Sequence, residues 1–446
     1  MVSELPGNAI NHEPRIVARS EHTISRANIS PNALKVLYRL RGAGFQAYLV
    51  GGGVRDLLLG REPKDFDVGT DARPEQVREL FRNCRLIGRR FRLAHVVFGR
   101  DVVEVATFRA LHGPDPEAGA DDGEADRHIE NGRILRDNVY GSIEEDAWRR
   151  DFTVNALYYN IADFSLVDYV GGLDDLKAGV LRLIGEPEQR YREDPVRMLR
   201  AVRFAAKLGF RIHEDSERPI VALGQLLEQI PPARLYEEVL KLLMTGSALP
   251  VYELLRHYGL FAHLFPQTEQ ALAEEPDGFP QTLLTHALAN TDARVNEGKP
   301  VTPAFLYAAL LWAPMRARVA ALSGEDTPLM QAMQSAGSQV VAEQARCVAL
   351  PRRFSLPMRE IWSLQPRFEQ RSGRRPLRLL QHPRFRAAYD FLLLRGQSGE
   401  VSEELCQWWT EFQAAEGSER DRLLPERPPR KRRRRRPRRG AAGAGD

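Results

Sequence analysis

Residues 47–70 read AYLVGGGVRDLLLGREPKDFDVGT, and this stretch decides the fold of the region around it. The apolar residues 47–50 predict a strand, and the glycines after them predict a tight turn. A short helix is expected over residues 54–60, followed by a second strand over residues 64–68. This order of elements indicates a phosphate site that faces a metal site.

The glycine turn has the chemistry of a phosphate site. Glycines at a strand-to-helix turn let the backbone approach a ligand closely, and the first N–H groups of the helix carry a partial positive charge. Gly52 and Gly53 lie in this turn, and Arg55 adds a guanidinium group that can pair with phosphate. The turn therefore suits a triphosphate, although a Gly-Gly turn taken alone is common and more often binds nothing.

Two aspartates lie two residues apart on the second predicted strand. Side chains with this spacing point the same way, so Asp65 and Asp67 are expected to enter the site while Phe66 and Val68 turn into the core. Two convergent carboxylates suit Mg²⁺, which prefers few protein ligands and completes its shell with phosphates. In isolation an Asp-x-Asp motif is more often part of a surface loop.

A third carboxylate is expected from a later pair of strands. Residues 93–98 and 102–106 predict two strands joined by a turn, and Glu104 lies between Val103 and Val105. Glu104 therefore points away from both valines and can face the aspartate pair. The alternative is a solvent-facing glutamate on an edge strand, and the spacing alone leaves both interpretations open.

Residues 142–157 predict a helix that begins with a capping box. The pattern leaves Arg149, Arg150 and Asp151 clustered with Asn155. Without further information, a cluster of this kind is more often a salt-bridged surface than a site.

Residues 196–208 predict a second helix of interest, with Asp194 as the residue that caps its N-terminus. Arg197, Arg200 and Arg203 recur at a spacing of three and therefore share one face. The pattern fits either a solvated basic stripe or a binding surface.

Taken together, these motifs resemble one known family. The glycine turn with the Asp-x-Asp strand, RRDFT at residues 149–153 and EDPVR at residues 193–197 are similar to motifs of the class II tRNA nucleotidyltransferase and poly(A) polymerase family. The resemblance implies Asp65, Asp67 and Asp151 as catalytic carboxylates. On geometric grounds, Glu104 is the alternative for the third catalytic position. Glu104 is also expected to bind the metal together with Asp65 and Asp67. The resemblance implies these nucleotide-binding residues: Gly52, Gly53, Arg55, Arg150, Asp194, Arg197 and Arg200. Asp194 and Arg197 are expected to favour adenine.

The family has a CCA-adding branch and a poly(A) polymerase branch. LIGRRFRLAHV at residues 86–96 and DNVYGSIEED at residues 137–146 resemble the bacterial poly(A) polymerases, as do an extra N-terminal arm and an arginine-rich tail. The resemblance implies a Mg²⁺-dependent enzyme that transfers AMP from ATP to RNA 3′ ends without a template. Whether Mn²⁺ substitutes for Mg²⁺ is left open.

Three alternatives remain at this point: a tRNA CCA-adding enzyme, an RNA-binding protein with an inactive site, and an enzyme that adenylylates a small molecule. The expected partners are ATP and the 3′ ends of mRNA and other transcripts. RNA-decay and RNA-chaperone proteins are further candidate partners, and a monomer is expected.

The composition fits a globular protein with room for two to four domains: 446 residues, 43% of them hydrophobic and 28% charged. No run approaches the ~20 apolar residues of a membrane span, and the N-terminus lacks the apolar core of a signal peptide. The three cysteines are far apart and have no zinc-site spacing. A reducing cytoplasm is the simplest expected location.

The formal net charge of +4 conceals an asymmetry. Residues 427–439 hold nine arginines, one lysine and no acid, which leaves the remaining chain at −6. A run this cationic, with nothing to bury, is expected to be disordered and to bind nucleic-acid backbone. The alternative is a solvated tail without a specific task.

The expected fold class is α+β, with a small mixed sheet in the head and helical domains after it. The predicted divisions are a flexible N-terminal arm (1–29), a nucleotidyltransferase catalytic head (30–184), a nucleotide-selecting and RNA-binding helical neck (185–248), an RNA-binding helical body (249–424) and a disordered basic tail (425–446).

Overall fold

The structure is a computed structural model that describes residues 13–88, 92–110, 127–130, 133–137, 139–274, 283–323 and 327–424. It divides into two compact units, an N-terminal unit that ends at Pro266 and a C-terminal unit that begins at Gln267. The predicted boundaries at residues 184 and 248 fall inside the N-terminal unit and stay predictions. The predicted basic tail, 425–446, lies outside the described residues.

All described strands belong to the N-terminal unit. They are β1 Arg15–Val17, β2 Ala47–Val50, β3 Asp67–Thr70, β4 Cys84–Ile87, β5 Leu93–Phe98, β6 Asp101–Thr107, β7 Arg127–Glu130, β8 Arg133–Asp137, β9 Leu157–Asn160, β10 Leu166–Asp168, β11 Val180–Leu181 and β12 Arg211–Ile212. Eight of them form one sheet in the order β1-β10-β9-β2-β3-β6-β5-β4. Only β3 and β6 pair in parallel within this sheet, so the expected mixed sheet is confirmed.

The helices of the N-terminal unit are α1 Pro31–Gly42, α2 Gly52–Leu58, α3 Pro74–Leu80, α4 Ile143–Arg149, α5 Gly172–Ala178, α6 Pro187–Glu193, α7 Val196–Leu208, α8 Glu214–Leu223, α9 Pro232–Leu243, α10 Ala248–His257 and α11 Leu260–Leu264. Those that follow are α12 Pro266–Ala273, α13 Leu283–Asn296, α14 Pro303–Leu310, α15 Trp312–Leu322, α16 Leu329–Cys347, α17 Arg352–Phe368, α18 Arg375–Leu380, α19 Phe385–Gln397, α20 Glu403–Ala414 and α21 Gly417–Leu423. Every regular element described after β12 is helical, as expected.

The central motif follows the prediction with two differences. Strand β2 covers the predicted residues, but α2 begins at Gly52, two residues early, and β3 begins only at Asp67. Val50, the last residue of β2, pairs with Asp67. Because β2 offers no partner beyond Val50, the strand does not extend back to Asp65, which lies exposed just before it.

The helix predicted over residues 142–157 is too long. Its capping box is present, since Glu145 N donates to Ser142 Oγ and Ser142 N donates to Glu145 Oε2, but α4 ends at Arg149. A short 3₁₀ turn, Thr153–Asn155, follows, and β9 begins at Leu157. Leu157, the last residue of the predicted helix, instead begins β9, which pairs with β2 and β10 and buries Leu157 completely.

Part of the predicted flexible arm is ordered. Residues 13–29 contain β1, which pairs with β10 at one edge of the sheet, and bury Ile24 and Ile29. A three-residue strand is too short to give a periodic signal in the sequence. Residues 1–12 lie outside the described part of the chain. In the acid-rich stretch 113–132, β7 occupies residues 127–130, and residues 113–126 and 131–132 are not described.

No single helix in the described part of the chain is long and apolar enough to span a membrane. The pair α14 and α15 reaches the required length and composition together, with a 53° bend between the helices. Much of this pair, including Leu306, Tyr307 and Trp312, is buried in the C-terminal unit.

Candidate active site

Two carboxylates lie side by side on the sheet. Asp67 on β3 is directly opposite Glu104 on the parallel strand β6. Cross-strand partners share a face, so both carboxylates project from the same side, while the neighbouring Val68 and Val105 are buried on the other. Strand β6 lies between β3 and β5, so the alternative of an edge-strand glutamate is wrong.

This pair is a site of concentrated negative charge. Burial raises the pKa of the Asp67 carboxyl to about 6, and the charges of Glu104 and Asp65 act in the same direction while Arg150 opposes them. On β5, His95 Nε2 lies 3.3 Å from Glu104 Oε2. The arrangement fits a divalent cation, because a cation would relieve the repulsion between the carboxylates.

Among the described residues, no group of three or more His, Cys, Asp or Glu side chains is placed to hold a metal ion, so the predicted metal role of Asp65, Asp67 and Glu104 stays a prediction. Mg²⁺ is usually held by one or two carboxylates together with water and substrate phosphates. The donor set of Asp67, Glu104 and the nearby Asp65 is therefore of the right chemistry for a metal that is shared with a phosphate ligand.

The glycine turn, where phosphate is expected to bind, lies close to the Asp67 and Glu104 carboxylates. Gly51 has φ 71°, a conformation that L side chains rarely adopt. A Cβ at Gly51 would lie 3.4 Å from Arg150 Nη1 and 3.9 Å from Asp67 Oδ2. The turn, the Arg150 guanidinium group and the Asp67 carboxylate therefore converge at one place.

The two glycines that the sequence singled out lie in the first turn of α2. A Cβ at Gly52 would lie 3.4 Å from Arg55 Nη2, and one at Gly53 would lie 3.3 Å from the backbone oxygen of Asp65. Gly53 thus lets α2 pack closely against the segment that carries Asp65.

Arg55 is buried, with only 2% of its surface exposed. Its Nε and Nη2 donate to Asp56 Oδ1 at 2.8 and 2.7 Å, and its Nη1 donates to Asn155 Oδ1 at 2.6 Å. In this structure Arg55 therefore holds Asn155 in place, and its predicted contact with ATP stays a prediction.

Arg150 is oriented by two residues that the sequence did not single out. Its Nε donates to Tyr158 Oη at 2.9 Å and to Asp146 Oδ2 at 3.1 Å, and its Nη2 donates to the same Asp146 oxygen at 3.0 Å. Tyr158 Oη also donates to Asp146 Oδ2. The remaining Nη1 donates to the backbone oxygen of Asn155 at 3.4 Å and lies beside the Gly51 turn.

Asp151 belongs to a different part of the site. Its Oδ1 accepts hydrogen bonds from Phe152 N at 2.8 Å and Asn155 Nδ2 at 3.2 Å, and its Oδ2 accepts from Arg200 Nε at 2.7 Å. Burial alone would raise the pKa of Asp151, but the Arg200 charge and these hydrogen bonds lower it to about 2. None of these bonds involves Asp65, Asp67 or Glu104.

The neck residues predicted to bind the base have separate partners. Asp194 Oδ2 accepts from Arg234 Nη2 at 2.7 Å, whereas Arg197 Nη1 donates to Glu193 Oε2 at 3.0 Å and to the backbone oxygen of Arg190 at 2.6 Å. Their joint role in favouring adenine therefore stays a prediction.

Arg190 is a further residue that the sequence reading missed. Its Nη2 donates to the backbone oxygens of Arg149 at 2.7 Å and Arg150 at 2.6 Å, so α6 holds the end of α4. Burial and the charge of Arg197 lower the pKa of Arg190 to about 10.

The predicted basic face of α7 is half-buried. Phe204 lies among three guanidinium groups, whose carbon atoms are 5.2, 5.4 and 4.3 Å from its ring centroid in Arg55, Arg200 and Arg203. The solvated-stripe interpretation is therefore wrong for Arg200 and Arg203, which pack against the interior of the N-terminal unit.

A strand, glycine turn, helix and strand on a mixed sheet, with adjacent carboxylates on β3 and β6, define a nucleotidyltransferase fold. Three family models match the chain: "Poly A polymerase head domain" at residues 47–182, "Probable RNA and SrmB- binding site of polymerase A" at residues 209–272 and "Polymerase A arginine-rich C-terminus" at residues 325–440.

The sequence relatives agree with these matches. Poly(A) polymerase I of Salmonella typhimurium is 53% identical over 92% of this chain and 88% of the relative, and that of Haemophilus influenzae is 48% identical over 93% and 92%. A CCA-adding enzyme of Lactobacillus helveticus is 40% identical over only 47% of this chain and 49% of its own. The chain belongs to the bacterial poly(A) polymerase I family.

Solved structures share the fold. The Bacillus stearothermophilus CCA-adding enzyme in complex with CTP is 27% identical, with a TM-score of 0.53 over 89% of this chain and 82% of that one. The Thermotoga maritima CCA-adding enzyme complexed with tRNA has a TM-score of 0.57 over 91% and 90%. At 21% identity, the second likeness bears on the fold alone.

Proposed function

We propose that this chain transfers AMP from ATP to the 3′-hydroxyl of RNA, without a template and with release of pyrophosphate. The observation that carries the proposal is the position of Asp67 opposite Glu104, beside the Gly51 turn and the Arg150 guanidinium group. The high identity to poly(A) polymerase I over more than nine tenths of the chain favours ATP as the repeated donor.

Asp67 and Glu104, with Asp65 beside them, would hold Mg²⁺. The bound ion would lower the pKa of the attacking hydroxyl and stabilise negative charge on the phosphate and the leaving pyrophosphate. These carboxylates would supply the negative pocket and would keep the RNA 3′-hydroxyl close to the reacting phosphate of ATP. Mn²⁺ can be tested in the same site because it also accepts carboxylate ligands.

On the nucleotide side, Arg150 would pair with the triphosphate at the Gly51 turn. Asp194 and Arg197 would contact the base, where hydrogen-bond donors and acceptors can separate adenine from cytosine. Arg200 would face the nucleotide from α7, held in position by Asp151.

This assignment gives the two rival carboxylates different roles. Glu104 lies next to Asp67 and would act with the metal, whereas Asp151 would position Arg200 through their ion pair. The assignment of Asp151 as the third catalytic carboxylate is the alternative, and substitution of each residue in turn separates the two.

RNA would be held through its backbone by the neck, the body and the tail, because repeated addition requires contacts that do not depend on sequence. We further propose a cytoplasmic monomer that meets RNA-decay or RNA-chaperone proteins. The three cysteines are free thiols, which suits a reducing compartment.

The test supplies Mg²⁺, a labelled RNA that lacks a CCA end, and either ATP or CTP. We expect a long ladder of products with ATP alone, and its loss in Asp65→Ala. Use of CTP, with growth that stops at a CCA end on tRNA, would move the chain to the CCA-adding class. Extension with neither nucleotide would favour an RNA-binding protein with an inactive site.

A further inference from the structure

Helix α1 carries two stripes of residues with helical spacing. The first is its core stripe, Ala33, Val36, Leu37 and Leu40, all fully buried. The second, displaced around the helix by two residues, consists of Pro31, Leu34, Lys35 and Tyr38. Tyr38 in this second stripe is 39% exposed, which is unusual for a large ring on a helix that is otherwise well packed.

The second stripe lines a cavity of about 570 Å³ on the surface of the N-terminal unit. Its lining includes Leu34, Lys35, Tyr38, Arg39, Phe81 and Phe98. The cavity therefore combines three aromatic rings with two cations.

The cations are placed over the rings. Lys35 Nζ lies 5.9 Å from the centroid of the Phe98 ring, and the Arg39 guanidinium carbon lies 5.2 Å from that of Phe81. No acidic side chain is among the described residues that line the cavity. Asp101, the cross-strand partner of Phe98, accepts a hydrogen bond from Asn32 Nδ2 at 2.8 Å.

The cavity and the carboxylates lie on opposite faces of the sheet. His95 on β5 contacts Glu104, so it shares the carboxylate face. Phe98 is three residues further along the same strand, and β5 pairs with β6 without a register shift between these positions. Because side chains alternate along a strand, Phe98 points to the other face. The cavity is thus separate from the candidate active site.

We propose that this cavity binds a nucleotide of single-stranded RNA upstream of the 3′ end that reacts, a role that rests on the proposed function. A base would stack against Tyr38, and the adjoining phosphates would pair with Lys35 and Arg39, which lie one helical turn apart. Rings with cations and without acids suit a nucleic-acid strand better than an acidic or apolar peptide. The site would contact RNA regardless of sequence.

The test uses the full chain and an unstructured RNA of about 20 nucleotides, longer than one compact single-strand site. Lys35→Ala should reduce the slope of log affinity against log salt by about 0.7, the value for one lost phosphate contact. Tyr38→Ala should weaken binding by about 5-fold or more, as expected for a lost stacking platform. All of these side chains are exposed, so the variants should fold.

Two matched variants serve as controls. Lys177→Ala removes an exposed lysine of α5 that is not part of the cavity, and it should leave the salt slope unchanged. Tyr38→Phe keeps the ring and loses only the hydroxyl that accepts from Arg26 Nη1, so it should retain affinity. Equal salt slopes for Lys35→Ala and Lys177→Ala would overturn the proposal, as would equal affinities for Tyr38→Ala and the unmodified chain.

Crosslinking then shows which peptide contacts the RNA. It also shows whether the cavity binds RNA or a free nucleotide. An RNA with 4-thiouridine upstream of its 3′ end should crosslink to the peptide that contains Tyr38. A crosslink that excess ATP removes would assign the cavity to a free nucleotide, and one found only on other peptides would also refute the proposal. AMP addition is measured in the same samples, so an unmodified chain that crosslinks but adds no AMP contradicts the proposed function and not the cavity.

Discussion

Asp151 and Arg200 form an ion pair that joins the segment after α4 to the neck helix α7. Arg200 Nε donates to Asp151 Oδ2 at 2.7 Å, and Arg200 Nη2 donates to the same oxygen. The Asp151 side chain is 13% exposed and that of Arg200 is 33% exposed, so the pair is only partly screened by water. It therefore connects the sheet that carries the carboxylates to the helix expected to face the nucleotide.

Breaking this pair should cost both stability and activity. Asp151→Asn or Arg200→Gln leaves the other charge largely buried, and each is expected to lower the free energy of unfolding by about 2–4 kcal/mol. The double variant should lose less than the sum, with a coupling of about 1–3 kcal/mol. Urea unfolding of the four proteins measures the coupling, and kcat/KM for ATP should fall in both single variants.

An exposed pair provides the control for this cycle. Arg218 and Glu214 are 69% and 83% exposed and form an i,i+4 pair on α8. Glu214→Gln and Arg218→Gln should couple by no more than about 0.5 kcal/mol and leave kcat/KM unchanged. If Asp151 and Arg200 couple no more strongly than this pair, their connection does not organise the site.

The same ion pair predicts a pH dependence of stability. The pKa of Asp151 is lowered to about 2 in the folded chain, against about 3.9 for an unfolded aspartate. An acid with a depressed folded pKa stabilises the fold above its unfolded pKa. This stabilisation, about 2–3 kcal/mol, is lost as the pH falls from about 4 toward about 2.

The measurement is the difference in unfolding free energy between the unmodified chain and Asp151→Asn, followed through this pH range. The difference should be constant above about pH 5 and should shrink on acidification. The Glu214→Gln variant should show a small difference at every pH. A difference for Asp151→Asn that does not change with pH would mean that its carboxylate is not held charged by Arg200.

Metal binding should act through the adjacent carboxylates. Asp67→Asn removes one of two like charges that lie directly opposite each other, so the metal-free variant should be more stable by up to about 1 kcal/mol. Added Mg²⁺ should raise the Tm of the unmodified chain more than that of Asp67→Asn, because a ligand stabilises the state that binds it. AMP transfer by the variant should fall by about 10³-fold or more.

Glu104→Gln tests whether the second carboxylate takes part in this binding. If Glu104 acts with the metal, the variant should require more Mg²⁺ for half-maximal AMP transfer, whereas Asp151→Asn should change KM for ATP at an unaltered Mg²⁺ requirement. Asp215→Asn, an exposed aspartate of α8, is the control and should change neither. The reverse pattern would return the third catalytic position to Asp151.

Strand alternation in the sequence gives the face of Glu104 but not its neighbour. The valines on each side set that face, and only the pairing of β3 with β6 places Glu104 opposite Asp67 and decides between the two interpretations. The exact start of β3 likewise depends on where β2 ends, and Leu157, the last residue of the predicted helix, begins β9 instead. Both outcomes are set by pairing between distant segments, which a local pattern does not contain.

The supporting residues were missed for the same reason. Arg190 reaches back 41 residues to the backbone of Arg149, and Arg234 reaches back 40 residues to Asp194. Neither arginine lies in a motif that marks it. His95 did lie in the stretch quoted for its resemblance to poly(A) polymerases, but only the sheet register shows that it faces Glu104.

The Gly51 turn allows a test that separates backbone strain from the loss of the site. Gly51 and Gly60 flank α2, and both have a positive φ, 71° and 68°, with ψ −139° at Gly51. Alanine at either position should therefore lower stability, by about 1 kcal/mol or more. Only at Gly51 would the new Cβ lie within 4 Å of Arg150 and Asp67, since a Cβ at Gly60 meets nothing within that distance.

Gly51→Ala should consequently reduce kcat for AMP transfer by about 10-fold or more, because displacement of a positioning group is costly to rate. Gly60→Ala should keep kcat within about 2-fold of the unmodified chain while still lowering Tm. The two Tm values and the two kcat values are measured under identical conditions. Equal losses of kcat would show that strain at the ends of α2 is responsible, whereas a loss confined to Gly51→Ala places the phosphate side of the reaction at the turn itself.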